Sequence, residues 1–254
     1  MKIFDFHTHL GYDYHDEKRG YHMTPDRYVR ELSEMGVSLA AGSTIRRADS
    51  RRPLADYEEI IPRLNAEAYE MHEAYPDFFV PGIHVHPAFV ELSLAQIEKY
   101  AAKGVKLLGE LVPYMMQYNA LAVPEADAIW EAAVKHNMVV SVHPTTYPDL
   151  DEFAKRHRDL KIVVAHLGVA AYDDQLDLFR KNENIWFDVS GHADERENFV
   201  RDAIDAIGKD RILYGSDFPA YLGDRFIKAV LKDCKTDAEL EAILWNNAYG
   251  LLFG

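Results

Sequence analysis

The sequence predicts a single (β/α)8 TIM barrel, and three observations carry that expectation. The chain has 254 residues, the ordinary length of one such barrel. Short β-rich runs alternate with helix-like stretches from end to end, and several of the runs finish on imidazoles or carboxylates. The runs cover 3–9, 37–42, 78–84, 105–110, 139–143, 162–166, 185–189 and 212–217.

Between them, apolar residues recur at helical spacing over 25–35, 55–75, 94–103, 124–136, 150–157, 173–181 and 194–207. Several of these stretches open with Pro or Asp, as helix starts do. Two helix-to-strand junctions carry a glycine before an apolar run, at Gly36-Val37 and Gly104-Val105, the pattern of a left-handed helix stop feeding a buried strand. Strictly alternating strands and helices, with no hairpin signal, imply parallel strands joined by crossovers, and eight such units close into a barrel. A doubly wound open sheet is the alternative. No low-complexity linker breaks the rhythm, so residues 1–254 form one domain, with a last helix over 237–245 closing its bottom or side.

Bulk composition narrows the function. Hydrophobic residues at 48% and charged residues at 28% fit a soluble globular chain. A net charge of −14 argues against nucleic acid, since phosphate backbones need clustered Lys and Arg, and the pairs Arg46-Arg47 and Arg51-Arg52 are too short for that. Cys234 is the only cysteine, so no internal disulfide exists and a reducing, cytoplasmic setting is expected. No run approaches membrane-spanning length. The expected partner is a small-molecule substrate, and the sequence leaves a homo-oligomer open.

Residues two apart on a strand face one side, so His7 and His9 present two imidazoles at the C-terminal end of the first strand, where barrel enzymes keep their sites. Alone, such a pair is equally a polar rim. Here Glu110, His143, His166 and Asp217 close the fourth, fifth, sixth and eighth runs at the same level. Unpartnered buried polar groups would cost several kcal/mol each, so a shared divalent-metal site is the better account. Nitrogen and oxygen donors without sulfur suit zinc, manganese, iron, cobalt or nickel, with Zn2+ the usual first choice and Mn2+ open.

The motifs Asp5-Phe6-His7-Thr8-His9, Val142-His143-Pro144, Ala165-His166-Leu167-Gly168, Tyr214-Gly215-Ser216-Asp217-Phe218-Pro219 and the terminal Asn247-Ala248-Tyr249-Gly250-Leu251-Leu252-Phe253 occur in this order. In them the chain resembles the amidohydrolase superfamily, in its amidohydrolase-related branch, which includes aminocarboxymuconate-semialdehyde decarboxylase. The resemblance implies that His7, His9, His143 and Asp217 bind metal and that Asp217 shuttles protons. It implies that His166 contacts the metal-bound water or substrate, or ligates a second ion. Glu110 departs from the decarboxylase pattern and is similar to the bridging side chain of two-metal members, so one ion or two is open; a salt bridge to Arg46 or Lys106 is its other explanation.

Further candidates are weaker. His84 and His86 share a side at the third strand, and His86 is taken as a substrate contact together with Arg46, Tyr118 and His192. The segment from Pro113 to Tyr118 is read as a pocket wall, and Tyr12, Tyr14, His15 and His22 lie in a long first loop with the length of a lid. The expected reaction is hydrolysis of an amide, lactone or ester by a metal-activated water, with Asp217 and His166 as catalytic groups. Non-oxidative decarboxylation of an unsaturated or aromatic acid is the runner-up, and a non-catalytic metal-binding scaffold a third possibility.

Overall fold

A computed structural model of the chain describes residues 1–11, 23–168, 172–191, 196–221 and 224–254. Its strands are β1 (Phe4–Leu10), β2 (Leu39–Thr44), β3 (Phe79–Ile83), β4 (Leu107–Leu111), β5 (Val139–Val142), β6 (Lys161–Val164), β7 (Ile185–Val189) and β8 (Ile212–Tyr214). Each pairs in parallel with the next, in the order β1 to β8. The ring closes just beyond β8, where Thr8 bridges Phe218, the Asp217 N–H donates to His7 O at 2.8 Å and the His9 N–H donates to Phe218 O at 2.7 Å. The chain is a (β/α)8 barrel.

The crossover helices are α1 (Pro25–Glu34), α2 (Tyr57–Ala74), α3 (Val90–Ala101), α4 (Asp127–Lys135), α5 (Tyr147–Arg156), α6 (Tyr172–Lys181), α7 (Phe199–Ile207) and α8 (Asp224–Asp233). Thr24 and Thr146 cap α1 and α5 by accepting from Arg27 N–H and Asp149 N–H, each followed by a proline in the first turn that has no N–H to leave unpaired. The expected closing helix is in fact three pieces. Helix α9 (Asp237–Glu241) starts on a Thr236–Glu239 capping box, a π-helical turn (Ala242–Asn246) follows, and α10 (Asn247–Phe253) ends the fold. Helix α8 lies in a stretch the sequence pattern did not mark. Among the described residues, no helix is long and apolar enough to cross a membrane.

The core has two layers. Outward-facing strand residues such as Leu108, Val140, Ile162, Val164 and Phe187 pack under the helices. Inside the barrel, Phe4, Phe6, Ala41, Leu107, Val139, Val163 and Leu213 form an apolar floor, plugged from below by Ala248, Leu251 and Leu252. That floor occupies the lower half of the barrel. Above it the lining must turn polar, and two irregularities effect the change. The β1–β2 register shifts between Asp5 and Thr8, and the β4–β5 register between Leu108 and Leu111. A bulge of one residue reverses which side chains face in. So Phe4 and Phe6 line the floor while His7 and His9 line the mouth, and Leu107 lines the floor while Glu110 lines the mouth.

Candidate metal centre

The mouth of the barrel gathers six ligand-type side chains from β1 and β4 and from the segments that follow β5, β6 and β8. His7 Nε2 and His9 Nε2 lie 3.1 Å apart. Glu110 Oε2 faces both, at 3.3 and 3.2 Å, and Asp217 Oδ1 is 3.2 Å from His9 Nε2 and 3.7 Å from His7 Nε2. The other carboxylate oxygen, Glu110 Oε1, faces His143 Nδ1 at 3.2 Å and His166 Nε2 at 3.6 Å, and these two nitrogens are 3.1 Å apart. Among the described residues three groups result: His7–His9–Asp217 and Glu110–His143–His166, with Glu110 between them, and behind both His7–His166–Asp188.

This donor set fits a divalent cation. Ligand bonds of about 2.1 Å at tetrahedral to octahedral angles put neighbouring ligand atoms about 3.0–3.4 Å apart, the separation of most of these pairs, with His7–Asp217 and His166–Glu110 a little wider at 3.7 and 3.6 Å. Four imidazoles and two carboxylates supply nitrogen and oxygen and no sulfur, which suits zinc, manganese and similar ions. The electrostatics agree with a cation-binding pocket. Burial would raise the Glu110 carboxyl, yet the imidazoles of His7, His143 and His9 outweigh it and hold Glu110 well below the usual carboxylate range. Burial likewise opposes protonation of His7 and His9; Asp188 and Glu110 overcome it at His7, and Asp217 and Glu110 at His9, so both stand above the ordinary imidazole value. His166 goes the other way, pushed down by burial.

Local backbone explains how these side chains reach one point. The expected strands 162–166 and 212–217 end early, at Val164 and Tyr214, and His166 and Asp217 follow in the left-handed region, with φ of 69° and 58°. Such conformations cost of order 1–3 kcal/mol for a non-glycine residue and collect at functional sites. Gly215 is required by packing, because a Cβ there would stand 2.7 Å from His7 Cβ. Two peptides in these segments, Gly109–Glu110 and Phe218–Pro219, are cis.

A ring of buried groups holds the imidazoles from behind. The His7 Nδ1–H donates to Asp188 Oδ2 at 2.9 Å, and Asp188 Oδ1 accepts from the His166 N–H at 3.2 Å and from the Ser190 hydroxyl. Ser190 Oγ lies 2.8 Å from His166 Nδ1. Asp5 accepts from the His7 and Ser216 N–H groups, at 3.2 and 3.0 Å, tying β1 to the turn that carries Asp217. Thr8 Oγ1 pairs with Tyr28 OH and donates to Ala41 O at 2.8 Å. Sequence reasoning missed Asp188 and Ser190. The available signal was a carboxylate inside the apolar run Ile185-Trp186-Phe187-Asp188-Val189, two residues before a serine on the same side.

The remaining candidates fall around this centre. The proposed salt bridge from Glu110 to Arg46 or Lys106 does not form: Arg46 pairs with Glu67 Oε2 at 2.8 and 3.0 Å, and Lys106 Nζ donates to His136 O at 2.9 Å. His86 is fully buried with both ring nitrogens engaged, Nε2 to Met116 O at 2.7 Å and Nδ1 accepting from the Ala88 N–H at 3.0 Å. Tyr118 is buried beside it, and its hydroxyl has no hydrogen-bond partner among the described residues; burial and the Glu110 charge push its pKa up. His84 Nε2 donates to Thr44 O at 2.9 Å, and both residues line a cavity of about 30 Å³ with Met115 and Met116. The exposed Tyr114 sets its ring against His143, with centroids 5.2 Å apart. His192, Tyr12, Tyr14, His15 and His22 lie outside the described residues.

Comparisons with known proteins agree with this architecture. The family profile described as amidohydrolase matches residues 4–254. No curated protein matches the chain. A dihydroxybenzoic acid decarboxylase from a Polaromonas species, with bound manganese and the inhibitor 2-nitroresorcinol, is 17% identical at a TM-score of 0.76, covering 99% of this chain and 96% of that one. A 5-carboxyvanillate decarboxylase from Novosphingobium aromaticivorans, complexed with manganese and 4-hydroxy-3-methoxy-5-nitrobenzoic acid, is 14% identical at 0.72, covering 98% and 95%. A 2,6-dihydroxybenzoate decarboxylase from Rhizobium is 16% identical at 0.74, covering 99% and 98%.

Proposed function

The chain belongs to the amidohydrolase family, and from that premise we propose that it is a divalent-metal-dependent decarboxylase of a small carboxylated aromatic or unsaturated acid. The observation that carries the reading is the convergence of His7, His9, Glu110, His143, His166 and Asp217 on one mouth. The activities of the similar structures support decarboxylation over the hydrolysis that the sequence alone favoured, and manganese, bound in two of them, stands beside zinc as the ion.

In this reading the six side chains hold the metal. A divalent ion there supplies positive charge that anchors an anionic substrate and draws electron density from it. Asp217, at the solvent side of the group, takes a proton from water and delivers it to the carbon bearing the carboxylate. The carbon–carbon bond then breaks, its electron pair returns to the substrate, and carbon dioxide leaves. His166, kept neutral by burial, rests its Nδ1 against Ser190 Oγ and so turns Nε2 into the mouth. Tyr118, with its unpartnered hydroxyl near the Glu110 charge, offers a hydrogen bond to the substrate. Met115 and Met116 supply adaptable apolar wall.

One observation favours hydrolysis of a lactone, ester or amide as the second reading. Glu110 turns one oxygen to His7 and His9 and the other to His143 and His166, an arrangement suited to bridging two ions across an attacking water. The deciding experiment loads the protein with Mn2+ or Zn2+, counts ions per chain, and incubates it with hydroxybenzoates, other carboxylated acids, lactones and amides. Mass spectrometry that finds loss of carbon dioxide supports the main reading. Gain of water by a chain holding two ions replaces it with the second, and tight acid binding without turnover across the panel replaces both with a scaffold.

A further inference from the structure

From the hydrogen bonds behind the metal centre, we infer that Asp188 is a positioning residue that sets the tautomers of two imidazoles at once: His7 directly and His166 through Ser190. The inference rests on the reading that His7 and His166 turn their Nε2 atoms to the ion.

Asp188 lies on β7 with no exposed surface, and among the described residues no lysine or arginine pairs with it. Its two oxygens have different tasks. Oδ2 accepts from His7 Nδ1–H at 2.9 Å, which leaves the lone pair of His7 on Nε2, the nitrogen facing His9 and Glu110. Oδ1 accepts from the backbone N–H of His166 at 3.2 Å and from the Ser190 hydroxyl. A serine that donates its proton to Asp188 presents only oxygen lone pairs to His166 Nδ1, 2.8 Å away. His166 must then carry its proton on Nδ1 and its lone pair on Nε2, the nitrogen facing His143 and Glu110. One carboxylate therefore turns an Nε2 lone pair into each half of the site. Groups that orient ligands in this way typically change metal affinity ~10–100-fold when altered.

The backbone N–H makes this testable, because it fixes how an asparagine must sit. In Asp188→Asn the amide oxygen has to occupy the Oδ1 position, since the His166 N–H can only donate. The NH2 group is thereby forced into the Oδ2 position, where it donates to His7 Nδ1 and drives the His7 proton onto Nε2. Asp188→Ala leaves His7 Nδ1 only the Ser190 hydroxyl, 3.1 Å away, which can donate or accept and so fixes neither tautomer. If Asp188 orients protons, the near-isosteric Asn variant binds Mn2+ at least as weakly as Ala, ~100-fold below the unmodified protein. If Asp188 merely fills space, Asn binds like the unmodified protein and Ala is the weaker.

Calorimetric titration with Mn2+ reads the affinities, with circular dichroism confirming the fold. An independent measurement needs no variant: histidine 15N–1H correlation of the Zn2+-loaded protein should find His7 and His166 protonated on Nδ1 and His7 bound to the ion through Nε2. Ligation of His7 through Nδ1, or an Asn variant that binds like the unmodified protein, overturns the inference. An unmodified protein that takes up neither ion overturns instead the metal reading beneath it.

Discussion

A single methyl group added beneath His7 tests whether the mouth depends on the close approach of β1 to the segment after β8. In Gly215→Ala the new Cβ falls 2.7 Å from His7 Cβ, 3.3 Å from Asp188 Cγ and 3.4 Å from Asp188 Cβ. Carbon atoms in good contact stand about 3.5–4.0 Å apart, so the segments must part by about 1 Å. The Asp217 N–H to His7 O bond, 2.8 Å long, ties the same two segments and resists that movement. Overpacking of this kind costs about 1–3 kcal/mol, and each kcal/mol lowers Tm by about 2–4 °C in a chain of this size. The larger effect is on the site, because a displacement of ~1 Å at positioned catalytic groups costs ~100-fold in rate. Mn2+ affinity by calorimetry, turnover and Tm are measured together, with Gly104→Ala as the control. Gly104 has φ of +87° and nothing within 4 Å of its added Cβ, so alanine there brings about 1–2 kcal/mol of backbone strain far from the site. The expected result is that both variants lose stability and only Gly215→Ala loses metal affinity and turnover. Unchanged Mn2+ affinity in Gly215→Ala would refute the reasoning.

Three further outcomes follow from the same geometry. Asp217→Asn should lower turnover by two orders of magnitude or more with Tm nearly unchanged, as proton transfer by a positioned group contributes ~10²–10⁴-fold; full activity would remove Asp217 from the chemistry. Glu110→Gln removes a charge that faces four imidazoles, so the drop in Mn2+ affinity should exceed the ~10–100-fold seen for groups that touch only the ligands; calorimetry that finds less would make Glu110 a bystander. His84 gives a pH signature in the metal-free protein: burial, only partly offset by its bond to Thr44 O, pulls its pKa from 6.5 to about 4. The unfolded chain then binds the extra proton first, so this stabilisation is whole above pH 6.5 and is lost as pH falls towards 4, about 3 kcal/mol at ~1.36 kcal/mol per pH unit. His84→Gln, whose amide can still donate to Thr44 O, should flatten urea unfolding free energies over that interval by a similar amount; an unchanged slope would show that His84 does not carry it.

Much of this molecule was legible in the chain because barrel strands obey a period of two and their upper ends share one function. Each of the eight expected runs overlaps a strand, and the six ligand-type residues meet as the shared level of their run ends required. What escaped prediction depended on departures from that period. The bulge in β1 brings Phe6 and His7, adjacent in sequence, to the same interior, which alternation forbids. His166 and Asp217 reach the mouth from left-handed turns rather than from strand ends, a conformation that side-chain chemistry does not announce. Asp188 was hidden because its run reads as hydrophobic, and the imidazole that gives its charge a purpose lies on β1, 181 residues away. Arg46 pairs with Glu67 of α2, 21 residues on, a contact that the local run Arg46-Arg47 does not announce.

The two bulges also divide the labour of the barrel. Below them, Phe4, Phe6, Leu107, Val139, Val163 and Leu213 form an oily base that answers only to volume and shape. Above them stands a polar crown whose members must converge on one place. Because the reversal occurs within one or two residues, substitutions in the base can drift or be redesigned while the crown keeps its alignment, whereas deleting a single residue at either bulge would rotate an entire ligand segment into the barrel wall. The joint between base and crown is therefore the place where this scaffold tolerates change least in length and is most forgiving of change beneath it.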